Sequence, residues 1–206
     1  GIGGYSDRSG ACAKEFAESR DARLLEVDMA RDVGFTIPQA APSRRAPCSS
    51  CGLSKRHLLN KVAVDHGYDV LVTGHNLDDE AAVLFGNVLN WNLPYLARQR
   101  PALPEAPGFA RRVKPLVRLT ERETAAYCVI RGIDYIIEEC PMAAGNRHLM
   151  YKEMLNSLEE RAPGSKSTFL RGFSERLMPL LEDLAAEERA AVGTCSRCGS
   201  PTTGDV

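Results

Sequence analysis

Apolar and polar positions along this chain change period several times, and each change predicts a change of element. From Ser6 to Ser19 the apolar positions Ala11, Ala13, Phe16 and Ala17 read as a helix. "RLLEVDMA" (Arg23 to Ala30) reads as a short strand, and the proline-rich stretch 31–46 as irregular chain. Leu58, Leu59, Val62, Ala63 and His66 recur at i, i+1, i+4 and i+5 spacing, the stripe of an amphipathic helix starting near Leu53. Ser50 is its expected N-cap and Gly67 its stop. "YDVLVTGH" (Tyr68 to His75) is nearly continuous in apolar and β-branched residues. That pattern predicts a strand covered on both faces of a parallel sheet, with a helix beginning near Leu77.

Further along, "RRVKPLVRLT" (Arg111 to Thr120) reads as a strand or an extended segment. Thr120 and Glu123 form a capping box that opens a helix ending at Gly132. "IDYIIEEC" (Ile133 to Cys140) reads as the last strand. Helical stretches over 148–161 and 165–191 follow, parted by Pro163 and Gly164. Strands alternating with helices predict the α/β class, a Rossmann-like parallel sheet with C-terminal helices. The long loop 98–112, with Pro101, Pro104 and Pro107, has the length of a functional loop.

Composition narrows the function without naming it. The chain has 206 residues, 44% hydrophobic and 26% charged, which is ordinary globular composition. A net charge of -1 places any nucleic-acid surface in a local patch rather than a global field. No run reaches the ~18 apolar residues of a membrane span and no signal segment is visible, so a cytoplasmic protein is expected. Seven cysteines, an odd number, argue against a disulfide framework, and two CxxC pairs favour metal or redox roles. Cys12 and Cys128 fall in predicted helices as small packing residues.

The candidate chemistry lies in two places. In "TGHNLDDEA" (Thr73 to Ala81) a strand runs through a glycine turn into acidic residues at a helix start, where ligands of open α/β sheets bind. Gly74 lets a nucleotide approach the backbone closely. Asp78 and Asp79 either cap the helix or hold a magnesium ion there. His75 gains weight only from its place in this string, and His66 and His148 gain none from spacing. Cys48 and Cys51 precede one helix and Cys140 ends a strand before Pro141, so all three thiols are expected at one sheet edge beside the acidic string. Three thiolates suit an iron–sulfur cluster with one exchangeable iron, or a catalytic zinc. A redox pair with Cys140 as a bystander, or a structural zinc completed by His57, fits the same spacing. Lys55, four positions after Cys51, is either a solvated helix lysine or a cation for a phosphate or carbonyl oxygen. Arg44, Arg45, Arg98, Arg100, Arg111, Arg112 and Lys114 form two basic loop clusters that suit a phosphate backbone. Cys195 and Cys198 read as half of a zinc ribbon.

Taken in order, "PCSSCGLSKRHLLNKVA", "DVLVTGHNLDDEA", "KPLVRLTERETAAYCVIRGIDYIIEECP" and "CSRCGSPT" resemble the tRNA 2-thiouridine synthetases of the TtuA type, over nearly the whole chain. The resemblance implies an adenine-nucleotide α-hydrolase (PP-loop) fold flanked by zinc ribbons. It implies ATP-dependent adenylation of a tRNA uridine C2 oxygen and its replacement by sulfur. Cys48, Cys51 and Cys140 would hold a [4Fe-4S] cluster, Lys55 and Asp79 would be catalytic, and Gly74, His75 and Asp78 would line the ATP and Mg2+ site. Cys195 and Cys198 would bind Zn2+. A ubiquitin-like sulfur carrier is implied as partner, and a homodimer fits the family. The family's Ser-Gly-Gly-Lys-Asp-Ser phosphate loop has no counterpart here, so the chain is expected to be a truncated piece. Its parts would be the C-terminal portion of the PP-loop domain (1–145), a helical extension (146–190) and a partial zinc ribbon (191–206). Thiolation of cytidine on the same fold, or an inactive paralogue binding zinc and RNA, are the rival expectations.

Overall fold

The computed structural model describes residues 2–40, 47–190, 192–196 and 201–202. Its elements fall into two compact units, one made of the chain up to Leu58 with Arg122–Asn146, the other of Leu59–Glu121 with the chain from Arg147 onward. Among the described residues no helix is long and apolar enough to cross a membrane.

The first unit is helical. α1 (Gly4–Ser19) forms the helix expected, but of its apolar positions only Ala17 is buried, with Ala11, Ala13 and Phe16 exposed, and its Arg8 reaches Glu138 at 2.8 Å. The expected strand over 23–30 does not form. Residues 22–28 pair with no described strand, and α2 (Met29–Asp32) begins where Asp28 accepts a hydrogen bond from the Arg31 amide at 2.8 Å. A strand needs a ladder partner, and without one Leu24, Leu25 and Val27 stay exposed. α3 (Ile37–Ala40) follows. α4 (Pro47–Asp65) starts earlier than expected, so Ser50 lies inside it rather than at its cap. Pro47 explains the difference, because its fixed φ suits the first helical turn and its missing N–H costs nothing there. Gly67, at φ 66°, ends the turn beyond the helix as expected.

In the second unit β1 (Val70–Val72), α5 (Leu77–Leu89), α6 (Leu93–Arg98), β2 (Ala102–Leu103) and β3 (Arg111–Val113) follow in order. The sheet has the order β1-β3-β2, with β1 parallel and β2 antiparallel to β3. The parallel pair is the α/β signature that the sequence predicted. The strand expected over 68–75 shrinks to three residues at the sheet edge, with Val72 59% exposed, so it is not covered on both faces. Loop 98–112 carries β2 and the start of β3. Asn60 pins it, donating to the Gly108 carbonyl at 2.8 Å and accepting from the Ala110 amide at 3.1 Å.

α7 (Glu121–Arg131) stops at Gly132, φ 61°, as predicted. The strand expected over 133–140 is also absent. Ile137 is 80% exposed, and the segment leads into a tight turn at Pro141–Ala143. α8 (Arg147–Arg161) and α9 (Ser165–Gly172) match expectation, but the second long helix is broken. A wide turn over Phe173–Leu177 and a tight one over Met178–Leu181 precede α10 (Glu182–Ala190). Pro179 accounts for this, since its ring and missing N–H cannot continue the regular helical ladder. β4 (Gly193–Thr194) and β5 (Pro201–Thr202) pair antiparallel.

The core of the second unit lies under α5. Ala81, Ala82 and Leu155 pack with Phe85, Tyr151 and Phe169, and Leu84 with Leu96 and Phe173. Full burial of Leu84 contributes about 1.5–3 kcal/mol. α8 approaches α5 so closely that a Cβ on Gly86 would stand 2.7 Å from the Tyr151 ring. This packing fixes the first turn of α5, where the acidic string lies.

Candidate functional site

Cys48, Cys51 and Cys140 all belong to the first unit. Cys48, Cys51 and Lys55 occupy i, i+3 and i+7 of α4, one stripe of the helix. The Cys48 thiol donates to the Met142 carbonyl at 3.5 Å, so the start of α4 meets the turn that follows Cys140. That turn closes through the Ala143 amide donating to the Cys140 carbonyl at 2.8 Å. All three thiols are free and partly buried. Burial pushes the Cys48 thiol up, the charges of Cys140 and Cys51 push it further, and a hydrogen bond with the Asn146 side chain pulls back. Lys55 is exposed. Among the described residues no three histidine, cysteine or acidic side chains are grouped as the ligands of one metal ion would be. The donor set still suits a multi-iron centre. A thiol such as Cys48, whose ionisation burial and its neighbours disfavour, is stabilised as a thiolate by a cationic partner, and a cluster spreads its thiolates over several irons.

The acidic string lies in the second unit. Asn76 caps α5: its side chain accepts from the Asp79 amide at 3.0 Å, and its own amide donates to Asp79 Oδ2 at 3.1 Å. Three consecutive carboxylates on this turn each meet a lysine from a different segment. Asp78, 4% exposed, accepts from the Lys166 ammonium through Oδ1 and from the Glu121 amide through Oδ2 at 2.7 Å. Both its oxygens are engaged, so it ties α5 to the start of α7. Glu80, 3% exposed, takes Lys114 at 2.8 and 2.9 Å. Asp79 pairs through Oδ1 with Lys152 at 2.7 Å.

Burial opposes the Asp79 charge, but the hydrogen bond and charge of Lys152 outweigh it and hold the carboxyl below the usual range. Lys152 answers in kind. Burial works against its ammonium, and Asp79 with Glu121 carries it above the usual lysine value. His75 is exposed, its Nδ1 2.9 Å from Thr73 Oγ1. Gly74 is exposed at an ordinary φ, and a Cβ there would meet nothing within 4 Å. The protein itself does not require glycine at that position, whereas a ligand approaching the backbone would.

Sequence reasoning missed Lys152 and Lys166 altogether. Each meets its carboxylate from more than 70 residues away, and no local spacing marks such a pair. The basic clusters fare unevenly. Arg100 is tied to Glu182 at 2.7 Å, Lys114 to Glu80, and Arg98 lies over the Tyr95 ring at 5.0 Å. Arg44, Arg45 and Cys198 lie outside the described residues. Cys195 is a free thiol between β4 and β5. Cys12 and Cys128 are also free and only partly buried, so neither is the core residue expected.

His148, one turn before Lys152 on α8, gives a pH test. Burial pushes its imidazole below the usual value, Lys152 and His75 add to that, and Asp79 and Glu80 oppose it. Above about pH 6.5 the ring is neutral whether folded or unfolded. As pH falls through that value the unfolded chain takes a proton that the folded one resists, so stability drops. Thermal melting from pH 7 to pH 5 is expected to fall more steeply for the wild type than for His148→Gln. Parallel slopes would remove His148 from the account.

No family model matches the chain. The tRNA-5-methyluridine(54) 2-sulfurtransferase of Thermus thermophilus is 52% identical over 207 residues, covering all of this chain and 64% of the relative. The protein of the same name from Thermotoga maritima is 38% identical, covering all of this chain and 67% of the relative. The solved U34-tRNA thiolase NcsA from Methanococcus maripaludis, with its [4Fe-4S] cluster, superposes with a TM-score of 0.81 at 27% identity. That match covers all of this chain and 64% of NcsA, and it shows the α/β PP-loop fold expected from the sequence. The chain therefore spans about two thirds of the length of the relatives it matches. On the strength of the Thermotoga maritima match across two thirds of that protein, the chain belongs to the family of tRNA 2-sulfurtransferases.

Proposed function

We propose that the protein containing this chain is an ATP-dependent sulfurtransferase that replaces the C2 oxygen of a tRNA uridine with sulfur. The observation that carries the reading is the contact of Cys48, at the start of α4, with the Met142 carbonyl in the turn after Cys140, where the charges of Cys140 and Cys51 both act on the Cys48 thiol. In this reading Cys48, Cys51 and Cys140 hold a [4Fe-4S] cluster like the one in NcsA's name. When bound, the cluster would supply an iron position open to the sulfur being transferred.

The chain's own residues do the rest. A urea-like carbonyl is a poor electrophile, so its oxygen must first be made a leaving group, which is the task of ATP. Gly74 leaves room for the nucleotide at the end of β1, and His75 stands exposed beside it. Asp79 supplies an ionised carboxylate suited to hold Mg2+ or to take a proton at its Oδ oxygens. Asp78 contributes by holding the helix start in place. Lys55, on the same α4 stripe as the thiols, supplies a compact cation for a developing oxyanion or phosphate. Cys195 and Cys198 belong to a structural Zn2+ ribbon, and the organisation into PP-loop portion, helical extension and ribbon follows the family pattern. A cytoplasmic location, a homodimer and a ubiquitin-like sulfur carrier complete the reading.

The 52% identity to an enzyme named for 5-methyluridine 54, against 27% to one named for U34, favours position 54 as the target. The test is anaerobic reconstitution of the full-length protein with ATP, sulfide and tRNA, followed by nucleoside mass spectrometry. Thiolated 5-methyluridine, lost when the tRNA carries cytidine at position 54, is expected. A thiolated cytidine, or no thiolated nucleoside, would overturn the proposal.

A further inference from the structure

Resting on that reading, we infer that Lys152 is the positioning residue of Asp79: its ammonium, delivered by α8, holds the Asp79 carboxylate in a single orientation at the mouth of the acidic string. Three carboxylates follow one another at the start of α5, each with its own lysine, and their surroundings differ. Asp78 with Lys166 and Glu80 with Lys114 are sealed, the acids only 5% exposed in their side chains. The Asp79 side chain is 23% exposed while its lysine is 15% exposed, so this pair alone of the three offers its acid to a ligand.

The carboxylate is held twice. The Asn76 amide fixes Oδ2 at 3.1 Å, as the capping box requires, and Lys152 fixes Oδ1 at 2.7 Å. Capping needs only the first of these. The second sets the side-chain rotamer and keeps negative charge at one place before any substrate arrives, which is the form of preorganisation that catalysis rewards. Lys152 is itself steadied by Glu121, 3.4 Å away. Its place on α8, packed against α5 through Tyr151 and Leu155, makes the distance a property of the core rather than of a loop.

The experiment uses the full-length, reconstituted protein. Lys152→Met is expected to lower kcat for thiolation about 100-fold, the scale of an ångström's misplacement of a reacting group, while KM for tRNA stays as in the wild type. Lys152→Arg, which keeps the charge within reach of Oδ1, is expected to recover most of the loss. A crystal structure of Lys152→Met should show Asp79 Oδ1 displaced while the Asn76 contact persists. An unchanged kcat, a rise in KM alone, no recovery with arginine, or an unmoved Asp79 would each overturn the inference. Asp79→Ala separates the two levels. If it thiolates at the wild-type rate, the reading of Asp79 as catalytic has failed, whereas the crystallographic arm still decides what Lys152 does to it.

Discussion

Replacing Lys166 by methionine is expected to destabilise the second unit by about 3–5 kcal/mol, because it leaves a buried carboxylate without its counter-ion. Lys166 and Asp78 are 6% and 5% exposed in their side chains, so neither charge has water to fall back on. The ammonium also donates to Asn156, and the Lys166 amide donates to Glu159 at 2.8 Å. One residue thus joins α8, α9 and the start of α5, while Asp78 carries the connection on to α7 through the Glu121 amide. Domains are stable by roughly 5–15 kcal/mol, so this single loss takes a large share of the total. Urea denaturation of the variant reads it directly. The double variant Asp78→Asn with Lys166→Met should recover much of the loss, since the asparagine still accepts from the Glu121 amide and carries no charge to bury. A loss below about 1 kcal/mol in the single variant would mean that water reaches the pair and that the site is not sealed as described.

That pair also shows where reading a sequence stops. The features that proved legible are local. Gly67 and Gly132 end helices because a left-handed residue is needed there, and the start of α5 at Leu77 follows from the Asn76–Asp79 box. The Cys48–Cys51 spacing becomes a helical i, i+3 spacing, because α4 begins at Pro47 and takes in both residues. Segments 23–30 and 133–140 failed because β-branched and apolar content marks what a strand could be, while a strand exists only beside another. The charges behaved alike. Asp78 and Asp79 look equivalent in sequence, and only the fold assigns one to a sealed tie and the other to an accessible pair. Lys166 and Lys152, arriving from distant helices, make that assignment.

Removing one thiol should separate the cluster from the fold. Cys140→Ala is expected to leave the metal-free protein as stable as the wild type within about 0.5 kcal/mol, since among the described residues its thiol makes no hydrogen bond, it is only partly buried, and the backbone turn at Pro141–Ala143 stays intact. The same substitution is expected to abolish bound iron and acid-labile sulfide and to cut thiolation more than about 100-fold, because a missing ligand costs at least what a missing ligand support does. Protein purified without oxygen and assayed for iron, sulfide and zinc gives the answer, with thermal melts of both metal-free forms beside it. Alkylation supplies a reading that needs no metal. Cys48 is pushed up by burial and then by the charges of Cys140 and Cys51, so the variant removes one of three pressures. Its thiol should ionise at lower pH and react faster with iodoacetamide near neutrality. Iron and sulfide retained in the variant would strike Cys140 from the ligand set. Zinc alone, indifferent to the substitution, would make Cys48 and Cys51 a structural clip and leave the sulfur to be carried by a cysteine persulfide instead.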